Sequence, residues 1–286
     1  MELKAKPPEK ISAAVFDLDD TLLVHSELPP ESAEALRILH QRGIEIIIAT
    51  GRALCIVPEA VTALPFVRYF ITSNGSFTID RRSGRVTSRP VSREDALFLL
   101  SAVQLYAENV NLHMEDCLIT PFHAYARMLT GKSSRIAAQR GGRTSIKNNS
   151  RPVWSIKRFV THANRPIGKL TIHFASSEAR SKALPVVDAL SGQYEFAVVG
   201  GADIEATAKG VDKGSSLVML CEALGIDVKN TVVFGDSAND IAMFRAAGFG
   251  VSIGDSSPEL RGISGLAAPS AKEHGALKAV KYLCNL

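Results

Sequence analysis

The feature that most restricts the fold of this chain is a series of short apolar runs, each followed directly by polar residues. The clearest runs are Ile11–Phe16, Ile44–Ala49, Tyr69–Thr72 and Thr231–Phe234. Segments with helical periodicity, such as Pro30–Arg42 and Gly214–Ala223, separate or precede these runs. Short buried runs that alternate with helices predict a parallel sheet covered by helices, and therefore an α/β fold.

The middle of the chain follows a different pattern. Ser76–Val91 predicts a hairpin that turns at residues 81–84, and Glu94–Glu108 and Ser177–Leu190 predict helices. Strands are expected at Val110–Ile119, Val153–Val160, Lys169–Phe174 and Tyr194–Val199. Thr130–Pro152 is expected to be a mobile loop or a poorly packed excursion. We therefore expect a core domain at 1–84 and 206–286, divided by an α+β insert at 85–205.

Length and composition fit a globular protein without a cysteine framework. The chain has 286 residues, 46% of them hydrophobic, which is enough for a sizeable core. Its four cysteines are far apart, so neither a disulfide framework nor a zinc site is expected. No secretory signal or membrane-spanning run is visible, and the expected location is cytoplasmic, with no membrane partner.

Basic residues are concentrated in one part of the insert. Eleven lysines and arginines occur between residues 127 and 169, whereas no acidic residue lies between Asp116 and Glu178. Such a segment is typical either of a surface that attracts an anion or of a solvated loop. Nucleic acid is the less favoured partner, because few aromatic residues accompany the charges; Trp154 and Phe159 are the main ones.

Two carboxylates follow the first strand, at Asp17 and Asp19. Residues two apart on an extended chain point the same way, and paired carboxylates raise each other's pKa unless a cation lies between them. Asp236 and Asp240, at a distant strand end, can complete a site for Mg²⁺, which prefers oxygen ligands. The carboxyl ends of the strands of an open parallel sheet are also where ligands bind.

The same residues are suited to phosphoryl transfer. Asp17 can act as a carboxylate nucleophile, and Asp19 can protonate the leaving alcohol and then deprotonate water. Thr50 offers a hydroxyl group and a free backbone N–H at the expected start of a helix, and Lys213 offers a positive charge at the start of another helix. Both are candidates for holding phosphate.

Four motifs resemble those of the haloacid dehalogenase (HAD) superfamily. They are Phe16-Asp17-Leu18-Asp19-Asp20-Thr21-Leu22, Ala49-Thr50-Gly51-Arg52, Lys213-Gly214 and Phe234-Gly235-Asp236-Ser237-Ala238-Asn239-Asp240. The long insert, with Ser73-Asn74-Gly75-Ser76 and Asp203-Ile204-Glu205, is similar to that of Cof-type phosphatases with a C2 cap. The resemblance implies a Rossmann-like parallel-sheet core with an inserted α+β cap domain of the C2B type.

The resemblance also implies a role for each matching residue. Asp17 and Asp19 would be catalytic; Asp17, Asp19, Asp236 and Asp240 would bind Mg²⁺; Thr50, Lys213 and Asn239 would hold the phosphate; and Arg52, Asn74 and Gly75 would contact the substrate. The expected partner is a small phosphorylated metabolite, and the expected assembly is a monomer or homodimer.

The sequence therefore predicts a Mg²⁺-dependent phosphatase that forms an aspartyl phosphate on Asp17. Two alternatives remain open. A phosphosugar mutase would use the same intermediate and return the phosphate to a sugar, and a polyanion-binding module would use the basic part of the insert. Dependence on a bisphosphorylated activator would identify the mutase, and steeply salt-dependent oligonucleotide binding would identify the module.

Overall fold

A computed structural model of the chain describes residues 1–130, 146–199 and 202–285. They form two compact units. The first consists of Met1–Gly51, Val57–Val86 and Asp212–Leu286, and the second consists of Arg52–Ile56 and Thr87–Val211. The division seen in the structure and the division expected from the sequence both place a long insert within the core. The domain limits expected from the sequence, 85 and 205, stay a prediction.

A mixed sheet forms the centre of the first unit. In spatial order its nine described strands are Glu2–Leu3, Leu266–Ala268, Phe249–Ile253, Thr231–Gly235, Ala13–Phe16, Glu45–Ala49, Tyr69–Thr72, Phe77–Asp80 and Arg85–Ser88. The six strands from Leu266–Ala268 to Tyr69–Thr72 are parallel. Glu2–Leu3 and Phe77–Asp80 each pair antiparallel with a neighbour. The predicted α/β class with a parallel-sheet core is therefore confirmed.

Both faces of this sheet are buried, which explains the continuous apolar runs in its strands. On one face Val15, Ile47, Ile71 and Val233 pack against Leu217, Leu220, Met243 and Phe244. On the other face the rings of Phe16 and Phe234 stack with their centroids 4.2 Å apart. The helices of this unit are Pro30–Gln41, Glu59–Thr62, Lys213–Leu224, Ile241–Ala246, Pro258–Ile263 and Gly275–Leu283.

The second unit is a mainly antiparallel sheet with helices. Its six described strands run in the spatial order Tyr194–Val199, Asp203–Ala208, Lys169–His173, Asn109–His113, Leu118–Pro121 and Ser150–Val153. Its described helices are Arg93–Val103, Phe122–Leu129, Ile156–His162 and Ser177–Leu190. Alternate residues of the strands, including Leu112, Leu170, Ile172 and Ile204, join the helices in one apolar core. This confirms the predicted α+β character of the insert.

Several elements of the insert differ from the prediction. Val153–Val160 was expected to be a strand, but Ile156–His162 is a helix, because the Ser155 hydroxyl group accepts a hydrogen bond from the Arg158 N–H and starts it. The single strand expected at Val110–Ile119 is two strands joined by a turn, in which the Met114 N–H donates to the Cys117 carbonyl. Asp203–Ala208 is an additional strand.

The loop expected at Thr130–Pro152 lies partly outside the described residues, namely at 131–145. Where the structure describes it, the prediction is wrong: Ser150–Val153 is a strand that pairs in parallel with Leu118–Pro121. Within the wider basic stretch 127–169, four basic side chains lie against the carboxylates of Glu108, Asp116 and Glu205; they are Arg127, Arg151, Arg165 and Lys169. Part of the positive charge is therefore neutralised within the second unit.

The prediction of a helix that begins near Thr50 is also wrong. The chain there forms a short 3₁₀ turn at Leu54–Ile56, followed by the four-residue helix Glu59–Thr62.

None of the helices in the described ranges has the length and apolar character needed to cross a membrane.

Candidate active site

The parallel sheet brings distant carboxylates to one edge. Phe16 pairs in register with Ile48 on one side and with Phe234 on the other, so the residues that follow these three strands lie side by side. The Asp17 N–H donates to the Phe234 carbonyl over 2.9 Å. As a result Asp17, Thr50 and Asp236 all follow the carboxyl ends of neighbouring parallel strands, where ligand sites of such sheets are found.

Lys213 is the central cation of this edge. It begins the helix Lys213–Leu224, and Asp212 caps that helix by accepting a hydrogen bond from the Ser215 N–H over 2.6 Å. The Lys213 side chain is fully buried, and its Nζ donates to Oδ1 of Asp17 at 2.5 Å and to Oδ1 of Asp240 at 2.6 Å. A buried ammonium group between two carboxylates fixes the position of both.

Asp240 is held through both of its carboxylate oxygens. Oδ1 accepts from Lys213, and Oδ2 accepts from the backbone N–H groups of Asp236 and Ser237 at 3.1 and 3.0 Å. Gly235 leaves the space for this carboxylate, because a Cβ at that position would lie 2.6 Å from Oδ2 of Asp240. Asp240 therefore orders the turn that carries Asp236.

Three carboxylates of this edge form a group that could hold a metal ion. Asp17, Asp236 and Asp240 each offer one oxygen, and these oxygens all lie within 4.8 Å of one another. Three carboxylates face one lysine, so the ionised cluster has an excess of negative charge. Oxygen donors with unbalanced negative charge are suited to a hard divalent cation.

The pKa shifts of the cluster reflect the same excess of charge. Burial raises the pKa of Asp17 well above its ordinary value; Lys213 opposes this, whereas Asp240, Asp236 and Asp19 add to it. Burial, followed by Asp240, raises the pKa of Asp236 to about 7. Burial disfavours the charged form of Lys213, but Asp17 and Asp240 outweigh it and raise the pKa of the ammonium group. An added cation would relieve the repulsion among the carboxylates.

Thr21 is a site residue that our sequence analysis did not single out. Its side chain is fully buried, and its hydroxyl group donates to Oδ1 of Asp236 over 2.8 Å. This hydrogen bond lowers the pKa of Asp236 and so favours the ionised carboxylate. The available signal was its place in the segment that carries Asp17 and Asp19, where a hydroxyl residue follows Asp20 and precedes Leu22.

Two asparagines predicted as substrate or phosphate ligands meet at this edge. The Nδ2 group of Asn239 donates to Oδ1 of Asn74 over 3.4 Å, and Oδ1 of Asn239 accepts from the Ser237 hydroxyl over 2.7 Å. Asn74 has a left-handed backbone conformation with φ 57°. Gly75 has φ 104°, and a Cβ there would lie 2.2 Å from the Asp212 carbonyl oxygen, so the close approach requires glycine.

The remaining predicted residues have different surroundings. Asp19 is partly exposed. Thr50 is fully buried, and its backbone N–H donates to the Ile71 carbonyl over 2.8 Å. The prediction of a free N–H at Thr50 is therefore wrong. The cause is that Thr50 continues the sheet pairing instead of beginning a helix. Arg52 belongs to the second unit and donates from Nη1 to the Ile56 carbonyl over 3.1 Å.

A family model described as haloacid dehalogenase-like hydrolase matches residues 14–280, which include all of the cluster described above. The chain belongs to this family. The resemblance of its four motifs to the haloacid dehalogenase superfamily is therefore confirmed, as is the expectation of a hydrolase.

Two curated relatives match most of the chain. The 5-amino-6-(5-phospho-D-ribitylamino)uracil phosphatase YcsE of Bacillus subtilis is 25% identical over 275 residues, which cover 95% of each chain. The pyridoxal phosphate phosphatase YbhA of Escherichia coli is 27% identical over 248 residues, with 84% of this chain and 86% of the relative covered.

Solved structures of haloacid dehalogenase-like proteins confirm the fold. A haloacid dehalogenase-like hydrolase from B. subtilis superimposes with a TM-score of 0.82 at 21% identity, over 96% of this chain and all of the other. At that identity the likeness concerns the fold alone, and the matched residues include both the core and the inserted part.

Proposed function

We propose that this chain is a Mg²⁺-dependent phosphatase that hydrolyses small phosphate monoesters through an aspartyl phosphate on Asp17. The observation that carries the proposal is the contact of buried Lys213 with Asp17 at 2.5 Å and with Asp240 at 2.6 Å, beside Asp236. The named activities of YcsE and YbhA support it, because each is a phosphatase named for a small phosphorylated compound.

The donor set of the cluster fits Mg²⁺. All candidate ligands are oxygens, and no cysteine or histidine joins the described group. Asp17, Asp19 and Asp236 would hold the ion, and Asp240 would bind it or orient the ligands around it. When bound, the ion supplies positive charge that reduces the repulsion between Asp17 and the incoming phosphate.

The first step transfers the phosphoryl group to the protein. A carboxylate oxygen of Asp17 attacks phosphorus, the bond between phosphorus and the ester oxygen breaks, and Asp19 gives its proton to the departing alkoxide. Lys213 favours the ionised form of Asp17 and holds this carboxylate in place, because its ammonium group donates to Oδ1 of Asp17 as well as to Oδ1 of Asp240. The product of this step is an alcohol and phosphorylated Asp17.

The second step releases inorganic phosphate. Asp19, now ionised, takes a proton from water, and the water oxygen attacks phosphorus. The bond between phosphorus and the Asp17 oxygen breaks, which restores the carboxylate of Asp17 and the protonated form of Asp19. No group other than water is consumed.

The proposed phosphate ligands are the Thr50 hydroxyl group, the Lys213 ammonium group and the side-chain amide of Asn239. Donors of this kind stabilise the charge on the transferring oxygens. Arg52, Asn74 and Gly75 are the proposed substrate contacts, and the insert, proposed to extend over 85–205, is the part that would select the substrate.

A screen of small phosphate monoesters tests the proposal. Released phosphate is measured with Mg²⁺, with EDTA, and with EDTA followed by excess Mg²⁺. We expect turnover of at least one monoester with Mg²⁺, its loss in EDTA and its recovery on adding Mg²⁺ back. Unchanged turnover in EDTA would contradict the metal requirement, and the absence of turnover of p-nitrophenyl phosphate and of every metabolite would contradict the phosphatase assignment.

A further inference from the structure

A cavity lies in the first unit, away from the carboxylate cluster. Its volume is about 640 Å³, which is in the range of small-molecule sites. The polar and aromatic side chains that matter for binding are His40, Glu45, Phe66, Arg68, Arg81 and Arg82. Arg81 and Arg82 belong to the hairpin turn at residues 81–84, which the proposed phosphatase chemistry does not use.

The cavity is at the opposite end of the sheet from the active site. Glu45 begins the strand Glu45–Ala49, whereas Thr50 follows that strand. Arg68 precedes the strand Tyr69–Thr72 in the same way, and Arg81 follows the antiparallel partner of that strand. The five residue steps from Glu45 to Thr50 span about 16 Å at the usual rise per residue of a strand. A ligand in the cavity would therefore be distinct from a substrate at Asp17.

The arginines of the cavity differ in how their charge is balanced. Arg68 donates from Nε and Nη2 to the two carboxylate oxygens of Asp80, at 2.7 and 2.6 Å, so its charge is neutralised. Arg81 donates to the Thr62 backbone carbonyl and lies over the Phe70 ring, and neither contact removes its charge. Arg82 is exposed, and its guanidinium group makes no hydrogen bond or ion pair with a described residue.

The turn that carries these two arginines is held firmly. Oδ1 of Asp80 accepts from the Arg82 N–H over 3.0 Å, and Oδ2 accepts from the Ser83 hydroxyl over 2.8 Å. Because Arg68 binds the same carboxylate, the turn is fixed to the start of the neighbouring strand. Two guanidinium groups on a rigid turn are a suitable site for an anion.

The rest of the lining adds an aromatic surface and an acceptor. The rings of His40 and Phe66 stack with their centroids 5.0 Å apart and their planes at 15°. Glu45 is partly buried in the same lining and can accept a hydrogen bond from a ligand. A ligand that matches all three features has an anionic group, a planar ring and a hydrogen-bond donor.

We propose that this cavity binds a small molecule in which an anionic group, placed against Arg81 and Arg82, is joined to a planar ring placed against His40 and Phe66. Adenosine 5′-monophosphate has this combination of groups and serves as the probe. Adenosine lacks the anion and ribose 5-phosphate lacks the planar ring, so the two compounds test each feature separately.

The experiment follows backbone amide resonances of the full chain during titration with each compound in EDTA. We expect adenosine 5′-monophosphate to shift the resonances of residues 66–68 and 81–84, and each partial compound to bind about tenfold more weakly. Arg82→Glu should weaken binding of the monophosphate by at least about tenfold. Arg85→Glu is the matched control, because Arg85 is an exposed arginine of the same hairpin outside the cavity.

Equal affinity of Arg82→Glu and the unchanged chain would overturn the proposal, as would shifts confined to residues near Asp17 and Asp236. If adenosine bound as tightly as adenosine 5′-monophosphate, the proposed role of the anionic group would be overturned. If ribose 5-phosphate bound as tightly, the proposed role of the planar ring would be overturned. Circular dichroism of Arg82→Glu confirms that it is folded. Phosphatase activity is not measured in this test, so its result is independent of the proposed function.

Discussion

Lys213 and Asp17 are 196 positions apart in the sequence, yet Nζ of Lys213 lies 2.5 Å from Oδ1 of Asp17 in a buried contact. The same ammonium group binds Asp240 at 2.6 Å. One cation therefore joins the first strand of the parallel sheet, the helix that follows the insert and the turn after the strand Thr231–Gly235. The predictions below examine this connection and the residues around it.

Replacing Asp17 with Asn should abolish turnover while the fold remains. The amide keeps the shape of the side chain but is a poor nucleophile and carries no charge to bind a cation. We expect kcat with p-nitrophenyl phosphate to fall by at least about 1000-fold. Asp20→Asn is the matched control, because Asp20 is exposed and its φ of 55° is a conformation that Asn tolerates. The turnover of the Asp20→Asn variant should change little. Normal turnover in Asp17→Asn would exclude the covalent mechanism.

Lys213→Met should reduce both activity and stability. Methionine fills most of the space of lysine but leaves the buried carboxylates of Asp17 and Asp240 without their shared cation. We expect kcat to fall by about 100-fold or more, and the free energy of unfolding in EDTA to fall by about 3 kcal/mol. Phosphate release and urea unfolding measure the two effects.

The exposed Lys281, on the helix Gly275–Leu283, provides the control for that change. Lys281→Met should leave kcat and the unfolding free energy almost unchanged, since an exposed lysine contributes little to stability. A Lys213→Met variant that keeps full activity would show that the contact with Asp17 is structural only.

Much of the core could be predicted from the sequence because its strands are buried on both faces. Tyr69–Thr72 has the predicted limits, and Ala13–Phe16 and Glu45–Ala49 differ from the prediction only at their first residues. The carboxylates Asp17, Asp236 and Asp240 meet as expected, because parallel strands place their carboxyl ends at one edge. Here a local pattern is sufficient to determine the long-range arrangement.

Other features depend on contacts that a local pattern does not contain. The Thr50 N–H pairs with Ile71 of the neighbouring strand, so the expected helix start is replaced by continued sheet pairing. Ile156–His162 is rich in β-branched and aromatic residues, yet the Ser155 cap and packing on Arg93–Val103 make it helical. The bond from Thr21 to Asp236 joins residues 215 positions apart, and no spacing rule indicates it.

Thr21→Val should weaken metal binding with little change in volume. Valine replaces the hydroxyl group with a methyl group, and Asp236 loses the hydrogen bond that favours its ionised form. We expect the Mg²⁺ concentration for half-maximal activity to rise by about tenfold or more, as is typical when a partner of a metal ligand is removed. Thr21→Ser keeps the hydroxyl group and should restore most of the affinity; equal half-maximal concentrations in all three proteins would show that Thr21 does not tune Asp236.

Gly235→Ala should damage the site through Asp240. The added Cβ would lie 2.6 Å from Oδ2 of a carboxylate that cannot move freely, because it is bound by Lys213 and by two backbone N–H groups. We expect the free energy of unfolding to fall by about 2 kcal/mol and kcat to fall with it. Gly262→Ala is the control, since a Cβ at Gly262 meets no atom within 4 Å. Gly262 lies in the helix Pro258–Ile263, where alanine should be neutral or slightly stabilising. Chemical denaturation and phosphate release measure both variants, and equal behaviour of the two would show that the carboxylate of Asp240 does not need the space that Gly235 leaves.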